Sequence, residues 1–216
     1  MIPENSIIVR SRIKEAAERS GRRADDIILV CVTKTVGVPQ IEEALAAGVA
    51  DIGESRVQDA EIKFKAIGAR TKWHLIGHLQ TNKVKDAVRI FDLIHSVDSL
   101  KLAEEISKRA GVFDKTQEIL VEVKTSEEAT KYGAATEEVL DLVEKAAALP
   151  HIKIMGLMTM APIVSDAEEA RPYFKRLREI SEAIAAKKID NVNMRYLSMG
   201  MTQDFEVAVE EGANMV

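Results

Sequence analysis

Cysteine is nearly missing from this chain: Cys31 is the only one, and it lies inside an apolar run rather than in a loop. A single thiol rules out an internal disulfide framework and fits a reducing, cytoplasmic setting. Long hydrophobic stretches are missing too. The longest wholly apolar run, residues 27–32, falls far short of the roughly 20 residues needed to cross a bilayer. The amino terminus, "MIPENSIIVRSR", carries no apolar signal-peptide core. There is no excess of cations either. The net charge is −5, with Lys and Arg dispersed among Asp and Glu, which argues against a nucleic-acid-binding face. No low-complexity segment or linker breaks the chain, so residues 1–216 are expected to form one domain.

What is present is an alternation of short β-rich runs with amphipathic segments. A leading helix is expected over residues 5–20, capped by Asn5 or Ser6 and ended by Gly21. Strands follow at 27–32, 49–52, 73–76, 92–95, 119–123, 152–157 and 194–197. Helices alternate with them, the clearest being 39–47, with Pro39 in its first turn and Gly48 past its end. A second places Val57, Ala60, Phe64 and Ile67 on one face and stops at Gly68. Further helices are expected after Asp98, over 136–148, after Asp166 and through Phe205 and Val209. Residues 213–216 begin an eighth apolar run. Such a series implies a parallel sheet, most simply closed as a (β/α)8 TIM barrel with a truncated eighth strand. A doubly wound open sheet is the alternative.

In either architecture, chemistry collects at the carboxyl ends of the strands. Lys34 ends the first strand, where a free amine can attack a carbonyl and form a Schiff base. The other reading is a solvated lysine. In "LSMGMT", Ser198 and Gly200 follow the last full strand and precede a helix, so they can offer a hydroxyl, amides and the helix dipole to a phosphate. A tight turn alone would use the same residues. "WHLIGHLQTNK" holds His74 and His78 at a spacing that suits zinc on a helix. Here His74 is on a strand and no third ligand is evident, so His74 reads as a hydrogen-bonded core residue and His78 as a rim residue. Met155, Met158 and Met160 in "IMGLMTMAP" either line a flat apolar ligand or fill the core. The pairs Glu42-Glu43 and Glu137-Glu138 read as solvated helix faces.

Together "VTKT", "IGESRVQD", "WHLIGHLQTNK", "KYG", "GLMTMAP" and "LSMGMTQDFEVAVEEGANMV" resemble the YggS/PROSC family of pyridoxal-phosphate homeostasis proteins. The resemblance runs from the first strand to the last residue. It implies a barrel similar to the amino-terminal domain of alanine racemase, standing without that enzyme's second domain. It also implies pyridoxal 5′-phosphate held as a Schiff base on Lys34. The cofactor-binding set it implies is Lys34, Ser55, His78, Met158, Ser198, Met199 and Gly200, with Lys131 as a secondary or transfer site. Ser55 stands where the family usually has asparagine, so a shorter side chain without an amide occupies that position.

The family continues past "GA-x-M-V" with Arg-Ile-Gly, which here implies weaker cofactor retention and a less stable barrel whose closing strand lacks a following helix. No residue is assigned a catalytic role and no metal is expected. The implied function is buffering, carrying or delivering the cofactor, with apo pyridoxal-phosphate-dependent enzymes as possible recipients and a monomer or weak dimer as the form. A racemase or lyase of the alanine-racemase fold is the main alternative. A Schiff-base aldolase using Lys34 or Lys124 and a purely structural barrel are lesser ones. None of Tyr132, Tyr173 and Tyr196 falls at a strand end that suggests an opposing base.

Overall fold

The computed structural model describes residues 2–126, 128 and 132–216. Strands β1 (Val30–Val32), β2 (Asp51–Glu54), β3 (Lys72–Leu75), β4 (Leu93–Val97) and β5 (Gln117–Lys124) lie in sequence order and run parallel. A two-residue strand, β6 (Ala134–Ala135), pairs only with the end of β5, while β7 (Ile152–Met158) and β8 (Val192–Ser198) continue the main sheet. The last residues close it. Ile28 and Ser198 both bridge Met215 in parallel, and the amides of Ile28 and Val30 donate to Asn214 and Val216 at 2.9 and 2.8 Å. Residues 214–216 thus take the eighth position, and the barrel expectation is borne out over the open sheet.

Helices α1 (Ile2–Arg19), α2 (Val38–Ala46), α3 (Val57–Ile67), α4 (Val84–Ile90), α5 (Leu100–Val112), α6 (Val139–Ala147), α7 (Arg171–Ala186) and α8 (Phe205–Glu210) surround the sheet. The closing segment is covered by the leading helix, with Val216 packed against the cluster of Ala16, Ala17 and Val209. α1 packs against both α8 and α2 and fills the ring between them. Ala16 and Ala17 meet Val209 there, and Arg22 donates to the carbonyls of Val209 and Ala213 at 2.8 and 2.7 Å.

Alternation along the strands sorts side chains into two apolar layers. Inside the barrel lie Val30, Leu93, Leu120, Met155, Met158 and Met215. Outside it, residues such as Ile52, Trp73, Ile94, Ile119, Ile154, Phe91 and Phe174 pack between strands and helices. Full burial of a phenylalanine such as Phe91 or Phe174 contributes roughly 2–3 kcal/mol.

The strand bounds shift from the sequence reading by one to three residues, and for two strands the shift has a local reason. β1 pairs with β2 only from Val30, because residues 24–26 form a 3₁₀ turn and Ile28 turns to Met215. β2 begins at Asp51 rather than residue 49 because the Val49 amide still closes α2, donating to the Ala44 carbonyl at 3.1 Å. Gly53 and Glu54 therefore lie within the strand.

Candidate functional site

Lys34 follows β1 by two residues. Val30 points into the barrel, so Val32 and Lys34 continue that inward face toward the open mouth. The side chain is exposed, as is Val32 at 47%, so the lysine stem is not buried as a Schiff-base lysine would suggest. The strand ladder ends before it, and Gly53 on β2 brings no side chain beside it: a Cβ there would meet Val30 at 3.0 Å and Ile76 at 3.3 Å. Among the described residues nothing accepts from the Lys34 amine. Behind the turn, a buried clamp holds its backbone. Lys63 donates to the Thr33 carbonyl and to Glu54 Oε1, each at 2.6 Å, and the Thr33 hydroxyl donates to the same carboxylate oxygen at 2.5 Å.

The Ser198-Met199-Gly200 turn lies at the same mouth. Ser198 is half-buried and pairs in register with Met158 of β7. Gly200 has φ +95°, and an added Cβ would lie 2.6 Å from Ala208 Cβ and 2.8 Å from Phe205 Cα, so only glycine fits. Its amide has no acceptor among the described residues. The Met201 amide, by contrast, is capped by Asp204 Oδ1 at 2.5 Å. Two sequence expectations need correction here. Met199 packs its side chain into the layer between barrel and helices and donates its amide to Met215, so its side chain faces away from the mouth. α8 begins only at Phe205 and has six residues, too short and too far along to place a helix dipole on the turn.

Across the mouth, His78 stacks on Tyr132 with ring centroids 4.1 Å apart and 15° between planes. Its Nδ1 is 3.8 Å from Asp98. Tyr132 therefore does reach the mouth, unlike its sequence reading, because β6 brings its segment back to the end of β5. Ser55 sits at the end of β2 with Gly77 pressed on its backbone, where a Cβ would come within 2.3 Å of the Ser55 carbonyl oxygen. Met158 lies inside the barrel, while Met160 reaches the mouth at 37% exposure. Leu120 faces inward, so Glu122 and Lys124 do as well. Burial, with the nearby Asp98 charge, lifts the Glu122 carboxyl to about 7. Lys131 lies outside the described residues.

Below the mouth the inner face turns polar. Asp51 Oδ1 accepts from His74 Nε2 at 3.0 Å, His74 Nδ1 is 2.9 Å from His95 Nε2, and His95 Nδ1 is 2.9 Å from the Ser198 hydroxyl. The reading of His74 as a hydrogen-bonded core residue holds. Burial, reinforced by His74, holds His95 well below the usual histidine range, so His95 is neutral. Sequence reasoning missed His95 and Asp51. The available signal was that Leu93 and His95, like Asp51 and Gly53, keep inward parity along strands that are otherwise apolar.

No cluster of three potential metal ligands occurs among the described residues. A cavity of about 490 Å³ opens at the opposite end of the barrel, beside Arg70, Lys72, Trp73, Arg89, Asp92 and Lys115. Two of its cations are already engaged, Arg70 by Glu42 and Lys115 by the carbonyls of Val88 and Phe91. The candidate site remains the mouth at the strand carboxyl ends.

A closed parallel barrel with a lysine after its first strand and a Ser-x-Gly turn after β8 defines the class built as the amino-terminal domain of alanine racemase. The family described as "Alanine racemase, N-terminal domain" is matched over residues 8–216, and the chain belongs to it, within the branch of pyridoxal phosphate homeostasis proteins. It is 43% identical over 209 residues to the "Pyridoxal phosphate homeostasis protein" of Aquifex aeolicus (strain VF5), covering 96% of this chain and 91% of that one. It is similar to PipY of Synechococcus elongatus PCC7942, solved with PLP bound, with a TM-score of 0.87 and 31% identity, covering 100% of this chain and 96% of PipY. An alanine racemase of Clostridium difficile 630 shares the fold, with a TM-score of 0.76 and 15% identity over 95% of this chain and 53% of the racemase. The resemblance read from the motifs is thereby borne out.

Proposed function

We propose that this chain binds pyridoxal 5′-phosphate and serves its homeostasis by holding and releasing it, with Lys34 as the point of covalent attachment. The single observation that carries the reading is that the Lys34 amine and the Gly200 amide, neither with a partner among the described residues, share a mouth with the Ser198 hydroxyl. A ligand with an aldehyde and a phosphate needs those groups: an amine for one end, and a hydroxyl and an amide for the other. The crowded Gly200 turn fits as well, since it lets backbone approach the ligand where a side chain could not. The Aquifex relative's name and the PLP-bound PipY support the same reading.

When bound, pyridoxal phosphate supplies an electron-accepting ring for amino-acid chemistry. This chain's residues hold and orient it. Ser55, His78 and Met158 border its place, and the backbone at Met199 supports the Ser198 turn. Lys131 remains a proposed secondary or transfer position. One domain over residues 1–216, a cytoplasmic setting, a monomeric or weakly dimeric form and apo pyridoxal-phosphate-dependent enzymes as recipients belong to the same reading. No helix is long and apolar enough to cross a membrane among the described residues.

A second reading, weak racemase-type turnover, has one observation in its favour. Tyr132 stands at the mouth, stacked on His78, where a phenol could exchange a proton with a bound amino acid. The homeostasis reading leads because neither a second domain nor a partner subunit is needed for it.

The test is a visible spectrum of the protein with added pyridoxal phosphate, then borohydride reduction and peptide mapping. A new absorbance band, with the fixed adduct on Lys34 and lost in Lys34→Ala, is the expected result. Adducts scattered over surface lysines would overturn the reading. Release of alanine enantiomer from the loaded protein, abolished by Tyr132→Phe, would favour the second reading.

A further inference from the structure

Four side chains form an unbroken line from the amino end of β2 to the mouth: Asp51, His74, His95 and Ser198, at 3.0, 2.9 and 2.9 Å. The two rings are buried, while Asp51 retains 15% side-chain exposure and can exchange protons with solvent. A carboxylate can only accept, so His74 Nε2 donates to Asp51. The remaining hydrogens then have two arrangements.

With both rings neutral, His74 Nδ1 accepts from His95 Nε2–H, and His95 Nδ1 accepts from the Ser198 hydroxyl. Ser198 then offers only lone pairs to the mouth. With one more proton on His74, the His74–Asp51 bond stays as it is and the two bonds beyond it reverse. His74 Nδ1–H donates to His95 Nε2, His95 Nδ1–H donates to Ser198 Oγ, and the Ser198 hydrogen turns outward. Only the second arrangement gives a phosphate oxygen a hydrogen bond from this hydroxyl. In the first, turning the hydroxyl outward would leave two lone pairs facing each other at 2.9 Å.

We propose that His74 and His95 are positioning residues that set the direction of the Ser198 hydroxyl, so that a phosphate group enters the mouth together with one proton taken up by the buried line. The inference rests on the reading that Ser198 faces the phosphate of bound pyridoxal phosphate. The proton balance is simple: one proton enters from solvent at the mouth onto Ser198 Oγ, the inner Ser198 hydrogen passes to His95 Nδ1, the His95 Nε2 hydrogen passes to His74 Nδ1, and no heavy-atom bond changes. The burial that keeps His95 from holding a charge places the added proton at the Asp51–His74 end.

Other charged and titratable groups share the barrel interior and mouth. Lys34 stands above β1, Asp98 beyond β4, Glu122 and Lys124 on β5, and Tyr196 on β8. By the same register Lys72 on β3, Glu118 on β5 and Lys153 on β7 take inner parity at the amino end, the last two 4.0 Å apart, while Met155, Met158 and Met215 are the inner residues nearer the mouth on β7 and the closing segment. Glu122 in particular is lifted to about 7, so a pH profile of binding would carry its ionisation as well. The hydrogen position on His95 separates them.

The experiment is ¹⁵N NMR of the full chain with labelled histidine, His95 being assigned with His95→Gln. In the free protein near pH ~8, His95 is expected as the Nε2–H tautomer, shifting to Nδ1–H on saturation with pyridoxal phosphate. The shift is expected to be lost in Ser198→Ala and kept in Ser198→Thr, which retains the hydroxyl. Bound ligand, shown by its absorbance band and the Lys34 adduct, with His95 unchanged would overturn this inference and leave the function intact. Absence of the band under all conditions would overturn both.

Discussion

Lys63 and Glu54 form a buried ion pair behind the mouth, Nζ to Oε1 at 2.6 Å, with side chains 10% and 0% exposed. The same ammonium reaches the carbonyl of Thr33, the residue before Lys34. The end of β1 is thus tied to α3 through a charge on each side. In Lys63→Met the Glu54 carboxylate is left buried without its cation, a situation that costs about 3–5 kcal/mol. Urea unfolding should show that loss, and Glu54→Gln combined with Lys63→Met should recover a large part of it. An unchanged midpoint in Lys63→Met would show the clamp to be energetically idle.

Glu122 makes stability depend on pH in the direction opposite to a salt-bridged carboxylate. Its folded value of about 7 stands above 4.5, so the folded chain binds the extra proton between those limits. Stability attributable to this group is highest below 4.5 and falls as pH rises to about 7, where the buried carboxyl must ionise. Glu122→Gln should therefore stabilise the protein near pH ~8 by up to about 3 kcal/mol and have little effect near pH ~4. Thermal melts at the two pH values check this. A gain equal at both would assign the effect to packing instead.

Gly200 and Gly21 both have positive φ, +95° and +68°, but only Gly200 is crowded. Gly21→Ala should cost about 1 kcal/mol for the backbone alone. Gly200→Ala should cost about 1–3 kcal/mol and also weaken retention of added pyridoxal phosphate, because Phe205 and Ala208 must move. Comparable losses in the two variants, with cofactor retention intact, would remove the turn from the site.

Lys34→Ala should leave stability within about 0.5 kcal/mol, since its side chain is exposed and has no polar partner among the described residues. Far-UV circular dichroism and a urea curve check it alongside the loss of the absorbance band. A large destabilisation would mean that Lys34 supports the fold and would weaken its assignment as a free amine.

Most of the helix and strand order was legible because it depends on local signals. Pro39 and Gly48 bound α2 to within a residue, and the stripe of Val57, Ala60, Phe64 and Ile67 marked α3 to its ends. Lys63, lying on the same helix, carried no such signal, because its burial depends on Glu54 and on the carbonyl of Thr33, which arrive from β2 and from the end of β1. β6 was too short to give a periodic signal, and without it Tyr132 could not be placed against His78.

The sequence by itself determined the alternation of strands and helices, the parallel sheet, the position of Lys34 after the first strand and the Ser-Met-Gly turn after the last full one. Those features follow from hydrophobic period and turn chemistry within short windows. Tertiary structure alone decided that Met215 joins Ile28 to Ser198, that α1 covers the seam, and that Asp51, His74, His95 and Ser198 meet in one line. Alternation tells which face a side chain takes, but not what stands across the barrel from it. That depends on register and closure between strands as much as 187 residues apart, from Ile28 to Met215, and no local pattern encodes it.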